Sequence, residues 1–196
     1  MECYYLGMKD ELTGWEQVLN EVPQLRYAGD KILRTPCQKV TSEEFKSGEV
    51  NKWIDEIIKS LTDIRRIMGF GRGLAANQVG IKKQIIVTFE KDGFQTYINP
   101  EIIEESDQQA MYGELCLSFV LVMGDIVRPF AVTIKYLNPE GEEVVEKIEG
   151  VKARLLGHEM DHLSGKLCLD GSVPNSLRVI SRGKAQVFEE KLKIIK

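Results

Sequence analysis

The chain has only two histidines, and they fall four residues apart in the run Gly157-His158-Glu159-Met160-Asp161-His162-Leu163. Residues at i and i+4 are neighbours on a helix surface, so both imidazoles share one face, one turn apart. Val151, Leu155 and Leu156 belong to the same run, which predicts a helix from about Val151 through Leu163, anchored in the core by those side chains. The fold therefore has to be built around a helix that carries two imidazoles. Two neutral imidazoles can hold a divalent metal, and Glu159, about 100° further round the helix, lies beside such an ion rather than on it. A carboxylate in that place can take a proton from water at the metal.

A third ligand is required, and no downstream histidine supplies it. Cysteine suits a site of this softness, and of Cys3, Cys37, Cys116 and Cys168 only Cys116 has a distinctive setting, Gly113-Glu114-Leu115-Cys116-Leu117-Ser118. Two histidines and a thiolate leave one position open for water, as in catalytic rather than structural sites. Upstream lies a third unusual segment, Gly71-Arg72-Gly73-Leu74-Ala75-Ala76-Asn77-Gln78-Val79-Gly80. Gly71 and Gly73 there let backbone come close to a substrate, although a simple helix-to-strand turn explains glycine equally well. A phosphate-cradling loop fits poorly, because no lysine followed by serine or threonine comes after it.

The remaining pattern is one of hairpins and two principal helices. Thr41 with Glu44 forms a capping box, and Val50, Trp53, Ile54, Ile57, Ile58, Leu61, Ile64 and Met68 then recur at helical spacing up to Gly69. Strand-like runs follow at Gln84 to Phe89 and Phe94 to Ile98, split by Lys91-Asp92-Gly93. A further pair runs from Ala131 to Leu137 and from Glu143 to Ile148 across the turn Asn138-Pro139-Glu140-Gly141. Such an order reads as α+β. Before it, Tyr5, Leu6, Trp15, Val18 and Leu19 suggest a short amphipathic helix docked on the domain.

The three segments, in this order, resemble the peptide deformylases, which carry G-x-G-x-A-A-x-Q, E-G-C-L-S and H-E-x-D-H. The first and third match at every defined position. The second matches at Glu114, Cys116, Leu117 and Ser118, with Leu115 in place of glycine. Softer likeness runs from about Ile32-Leu33-Arg34 through Ile98-Asn99-Pro100-Glu101 to the end of the histidine helix. The resemblance implies antiparallel sheets around a central helix bearing the metal histidines, in one catalytic domain over residues 1–196 with residues 1–22 as an extension. It implies one divalent ion per chain on Cys116, His158 and His162, Fe2+ in the cell with Zn2+, Ni2+ or Co2+ as alternatives. Glu159 becomes the general base, while the Gln78 amide and the Leu117 backbone N–H hold the oxyanion. Asp161 becomes a group that orients a ligand or the helix. The implied reaction removes the N-formyl group from the first methionine of new polypeptides, with the ribosome as a candidate partner.

Departures from the family pattern gather near the substrate. Leu115 narrows the channel, Arg72 replaces an aliphatic residue, Phe119 to Gly124 replaces a proline-glycine turn, and Gly157 replaces a common glutamine. They leave open a deformylase-like protein with altered substrate preference, or a metal-binding module without catalysis. A zinc endopeptidase sharing H-E-x-x-H is disfavoured by the missing third histidine or glutamate. At 196 residues and a net charge of −4, the chain supports one well-buried core and speaks against nucleic acid as the main partner. No apolar stretch approaches membrane-spanning length, the start lacks a secretory pattern, and four unpaired cysteines suit a reducing compartment. The cytoplasm is the expected location.

Overall fold

The computed structural model describes residues 11–119, 121–179 and 193–195. Alternation along the early strands sorts the core into two layers. In β1 (Gly73–Ala75) and β2 (Ile85–Glu90), Leu74, Ile85 and Val87 face one side, while Ala75 and Ile86 face the other. Successive strand residues point to opposite faces, so this single sheet has to be covered on both. One cover is α3 (Glu49–Met68), which buries Val50, Ile54, Ile57, Leu61, Ile64 and Met68, a stripe at helical spacing. The other is α4 (Gly150–Leu163), whose Ala153, Leu156 and Leu163 pack with Ile86, Tyr97, Val132, Ile134 and Ile148.

The first sheet runs in the order β1-β2-β3-β6-β7, with β3 at Gly93–Glu105, β6 at Ala131–Leu137 and β7 at Glu143–Glu149. The second runs β8-β5-β4-β9, with β4 at Gln109–Leu115, β5 at Val122–Pro129, β8 at Arg178–Val179 and β9 at Lys193–Ile195. Among the described residues these strands pair antiparallel throughout, and one isolated parallel bridge joins Gln38 to Lys83. Helix α4 touches β1, β2, β6 and β7 of the first sheet and β5 of the second, so it is central in the expected sense. Its C-terminal carbonyls are satisfied from outside: Cys37 N–H donates to Leu163 O at 2.8 Å and the Asn77 amide to His162 O at 2.6 Å. The chain then turns at Gly165 (φ +74), where a Cβ would sit 2.8 Å from the Arg34 carbonyl oxygen. Only glycine fits there.

Several sequence expectations need correction. The capping box at Thr41 and Glu44 forms, but it opens a six-residue helix, α2 (Ser42–Ser47), and α3 starts afresh after the left-handed Gly48. The strand predicted to stop at Ile98 continues to Glu105, because Asn99 takes φ 52 and its amide binds both Val40 N–H and Val40 O. A register shift between Ile98 and Glu101 absorbs Pro100, so the ladder survives a residue that cannot donate to it. The N-terminal helix forms as α1 (Glu11–Glu21) and buries Trp15 and Val18, but Leu19 is 52% exposed. Tyr5 and Leu6 lie outside the described residues.

Candidate metal centre

Four elements bring the predicted residues together. Helix α4 presents His158 and His162, both buried, with ring centroids 5.2 Å apart. Just past the end of β4, Cys116 is fully buried, its Sγ 3.1 Å from His162 Nε2. Gln78 arrives from the tight turn Ala76–Val79, and Glu159 lies under Gly73 of β1. A Cβ on Gly73 would fall 2.5 Å from a Glu159 carboxylate oxygen, so this glycine makes room for the candidate base.

The surroundings fix each group's direction. The His158 Nδ1 pairs with Glu114 Oε2 at 2.8 Å, which leaves its other nitrogen for the site. Glu114 is in turn held by Arg128 at 2.6 and 3.0 Å, and Arg128 also binds Asp161 at 2.8 Å. Gln78 Oε1 accepts from Ala75 N–H at 2.9 Å, which turns its amide N–H toward Ser118 Oγ at 3.0 Å and Cys116 Sγ at 3.7 Å. Ser118 N–H points at the same sulfur from 3.3 Å.

The charge balance favours a cation. Burial opposes ionisation of Glu114, yet hydrogen bonds and charge from His158 and Arg128 hold its carboxyl down to about 2. Burial likewise opposes a Cys116 thiolate, but hydrogen bonds and charge from Cys168, His162 and His158 hold its thiol well below the usual range. Two negative groups thus face His158; against its burial, Cys116 and Glu114 raise that imidazole to about 10. Glu159 Oε2 and His162 Nδ1 are buried without a hydrogen-bond partner. A buried thiolate beside two buried imidazoles fits a divalent transition-metal ion. Glu159 itself is raised by burial, against the pull of His158 and His162, which suits a proton acceptor that later becomes a donor.

One member was missed from the sequence. Cys168, in the turn Cys168–Gly171, offers a sulfur that lies with the ligand atoms of Cys116 and His158 inside a group spanning no more than 4.8 Å. The roles of Glu114 and Arg128 were missed too, since nothing in the sequence joins residues on β4 and β5 to a helix histidine. Arg154 is another, although its position one turn before His158 on α4 could have flagged it.

The centre opens into a cleft of about 170 Å³ lined in part by Gln78, His158, Glu159, Leu115, Leu117 and Gly73. Gly71 and Arg72 also line it, as do Phe70, Tyr112 and Arg154. Leu115, the departure next to the cysteine, lines this cleft.

The family model for polypeptide deformylase matches residues 22–177 of this sequence. The chain belongs to the polypeptide deformylase family. It is 38% identical over 152 residues to the peptide deformylase of Natranaerobius thermophilus, covering 76% of this chain and 91% of that protein. It superposes on the crystal structure of Thermotoga maritima peptide deformylase with a TM-score of 0.70 at 37% identity, covering 76% of this chain and 97% of the other. A Met-Ala-Ser-bound peptide deformylase from Acinetobacter baumannii gives 0.68 at 30% identity, covering 75% and 96%. The deformylase family match thus spans the helix with both histidines, the Cys116 segment and the Gln78 turn.

Because Glu114 touches both His158 and Arg128, Glu114→Gln is expected to weaken metal binding by about 10–100-fold, the usual cost of losing such an orienting partner. Competition against a chelator measures it. An unchanged affinity would show that His158 is oriented without Glu114.

Proposed function

We propose that this chain hydrolyses the N-formyl group from the first methionine of nascent polypeptides, releasing formate and a free amino terminus. The observation that carries the reading is the convergence of Cys116, His158 and His162 beside a partnerless Glu159 and a directed Gln78 amide. Cys116, His158 and His162 would hold the metal, with Cys168 close at hand. When bound, such an ion acts as a Lewis acid and brings the pKa of water to about 7. The donor set suits Fe2+, and also Zn2+, Ni2+ or Co2+.

The chain's own groups account for the rest. Glu159 takes the proton of the attacking water while a C–O bond forms at the formyl carbon. The Gln78 amide, fixed by Ala75 N–H, donates to the oxygen that gains charge, joined by the Leu117 backbone N–H. Donors of this kind are typically worth about 2.7–4 kcal/mol in the transition state. Glu159 then gives its proton to the departing amine as the C–N bond breaks. Leu115, Leu117 and Phe70 supply an apolar wall that limits water in the cleft.

Residues 1–196 form one catalytic domain in this reading, with residues 1–22 as an extension. A nascent-chain substrate puts the enzyme in the cytoplasm near the ribosome. Anaerobically purified, metal-loaded protein is expected to release formate from formyl-Met-Ala-Ser with multiple turnovers. Absence of formate from every formyl-peptide offered would overturn the assignment.

A further inference from the structure

The cleft carries two arginines whose charge the deformylation chemistry does not use. Arg154, on α4 one turn before His158, lines the cleft, with its Nε buried and unbonded. Its guanidinium lies 4.6 Å from the centre of the Tyr112 ring. Arg72 lines the same cleft between Gly71 and Gly73. Among the described residues neither has a carboxylate partner, whereas Arg128, just outside the cleft, has two in Glu114 and Asp161. The one acid lining the cleft is Glu159, which sits under Gly73. Arg72 is exposed and Arg154 is half-buried, within the field of Glu114 and Glu159 but ion-paired to neither, and an arginine fork matches a carboxylate with two parallel hydrogen bonds.

We propose that the cleft receives a carboxylate of the substrate against Arg154 and Arg72, so that the enzyme prefers formyl-peptides bearing an acidic group near the formyl end. The hydrolytic part rests on the deformylase reading; the binding part does not. Two sources offer the same chemistry, an acidic side chain or the terminal carboxylate of a very short peptide. Leu115, Leu117, Phe70 and Leu155 give the cleft apolar surface, and the guanidinium groups of Arg72 and Arg154 line it alongside Gln78, His158 and Glu159.

The experiment compares isosteric pairs on metal-loaded protein. Formyl-Glu-Ala-Ser-amide is set against formyl-Gln-Ala-Ser-amide, formyl-Met-Glu-Ser-amide against formyl-Met-Gln-Ser-amide, and formyl-Met-Ala as free acid against its amide. A charge-assisted bidentate contact should favour the acidic member of at least one pair by about tenfold or more in kcat/KM. The pair that shows it identifies the source. Arg154→Leu and Arg72→Leu should bring that ratio toward one, and so should high salt. Ratios near one for all three pairs in the wild-type enzyme overturn the proposal, whether or not the variants fold. A ratio that persists in both variants also overturns it. Calorimetry with the deformylated products separates this inference from the proposed activity. If no formate appears yet the acidic product binds more tightly than its neutral isostere through Arg154, the activity fails and the site stands. If formate appears and no pair discriminates, the reverse holds.

Discussion

Cys116→Ala is expected to leave the protein with far less than stoichiometric metal and with formate release at background. Cys116 lies close to both imidazoles. Its sulfur is 3.1 Å from His162 Nε2 and also belongs to the compact group with His158 and Cys168. It is the thiolate on which the charge balance rests, since removing it leaves Glu114 as the remaining anion facing His158. Alanine also opens a void beside Gln78, whose amide N–H then keeps only Ser118 as acceptor. His158→Ala should act alike, because His158 is the imidazole with a carboxylate behind it. Metal analysis and formate release are read on the same preparation. A Cys116→Ala protein with full metal content and turnover would refute the assignment. Residual metal in that variant should vanish in Cys116→Ala/Cys168→Ala, since among the described residues Cys168 is the remaining thiol within reach.

The parts of this centre that could be read in the sequence are those encoded locally. His158, Glu159 and His162 lie within a single helical turn and a half, so spacing alone gives their common face. The α3 stripe and the capping box at Thr41 are local for the same reason, and both are present. The groups that escaped notice are joined only by tertiary structure. Glu114 and Arg128 come from adjacent strands, β4 and β5, and meet His158 because α4 packs on β5. Cys168 comes back to the site because Gly165 turns the chain sharply at the end of α4. Pro100 cannot donate to a ladder, yet Asn99, tied to Val40, supplies the irregularity that lets β3 continue. Leu19 has the apolar character of a buried position but stays exposed, because α1 packs through Trp15 and Val18. Arg72 was visible as a departure from the family pattern, but its meaning required Arg154 in the same cleft.

Glu159→Gln is expected to keep the metal and lose about 10²–10⁴-fold in kcat, the contribution typical of a positioned acid–base group. The amide has nearly the shape of the carboxyl, so the space left by Gly73 accepts it and α4 should keep its place. Glu159 is the base in this reading and Cys116, His158 and His162 are the ligands, so metal content should hold. What disappears is the ability to take a proton and return it. Burial raises the Glu159 carboxyl, which narrows the gap between its proton affinity and that of the amine it must protonate. Stability should change little or rise, because Glu159 Oε2 has no hydrogen-bond partner to lose and a buried carboxyl is exchanged for a neutral group. Thermal melting, metal analysis and single-turnover kinetics on one preparation distinguish these effects. A variant that melts normally, holds its metal and turns over at near wild-type kcat would mean that the proton travels by another route. Loss of metal together with activity would instead make Glu159 part of the binding set.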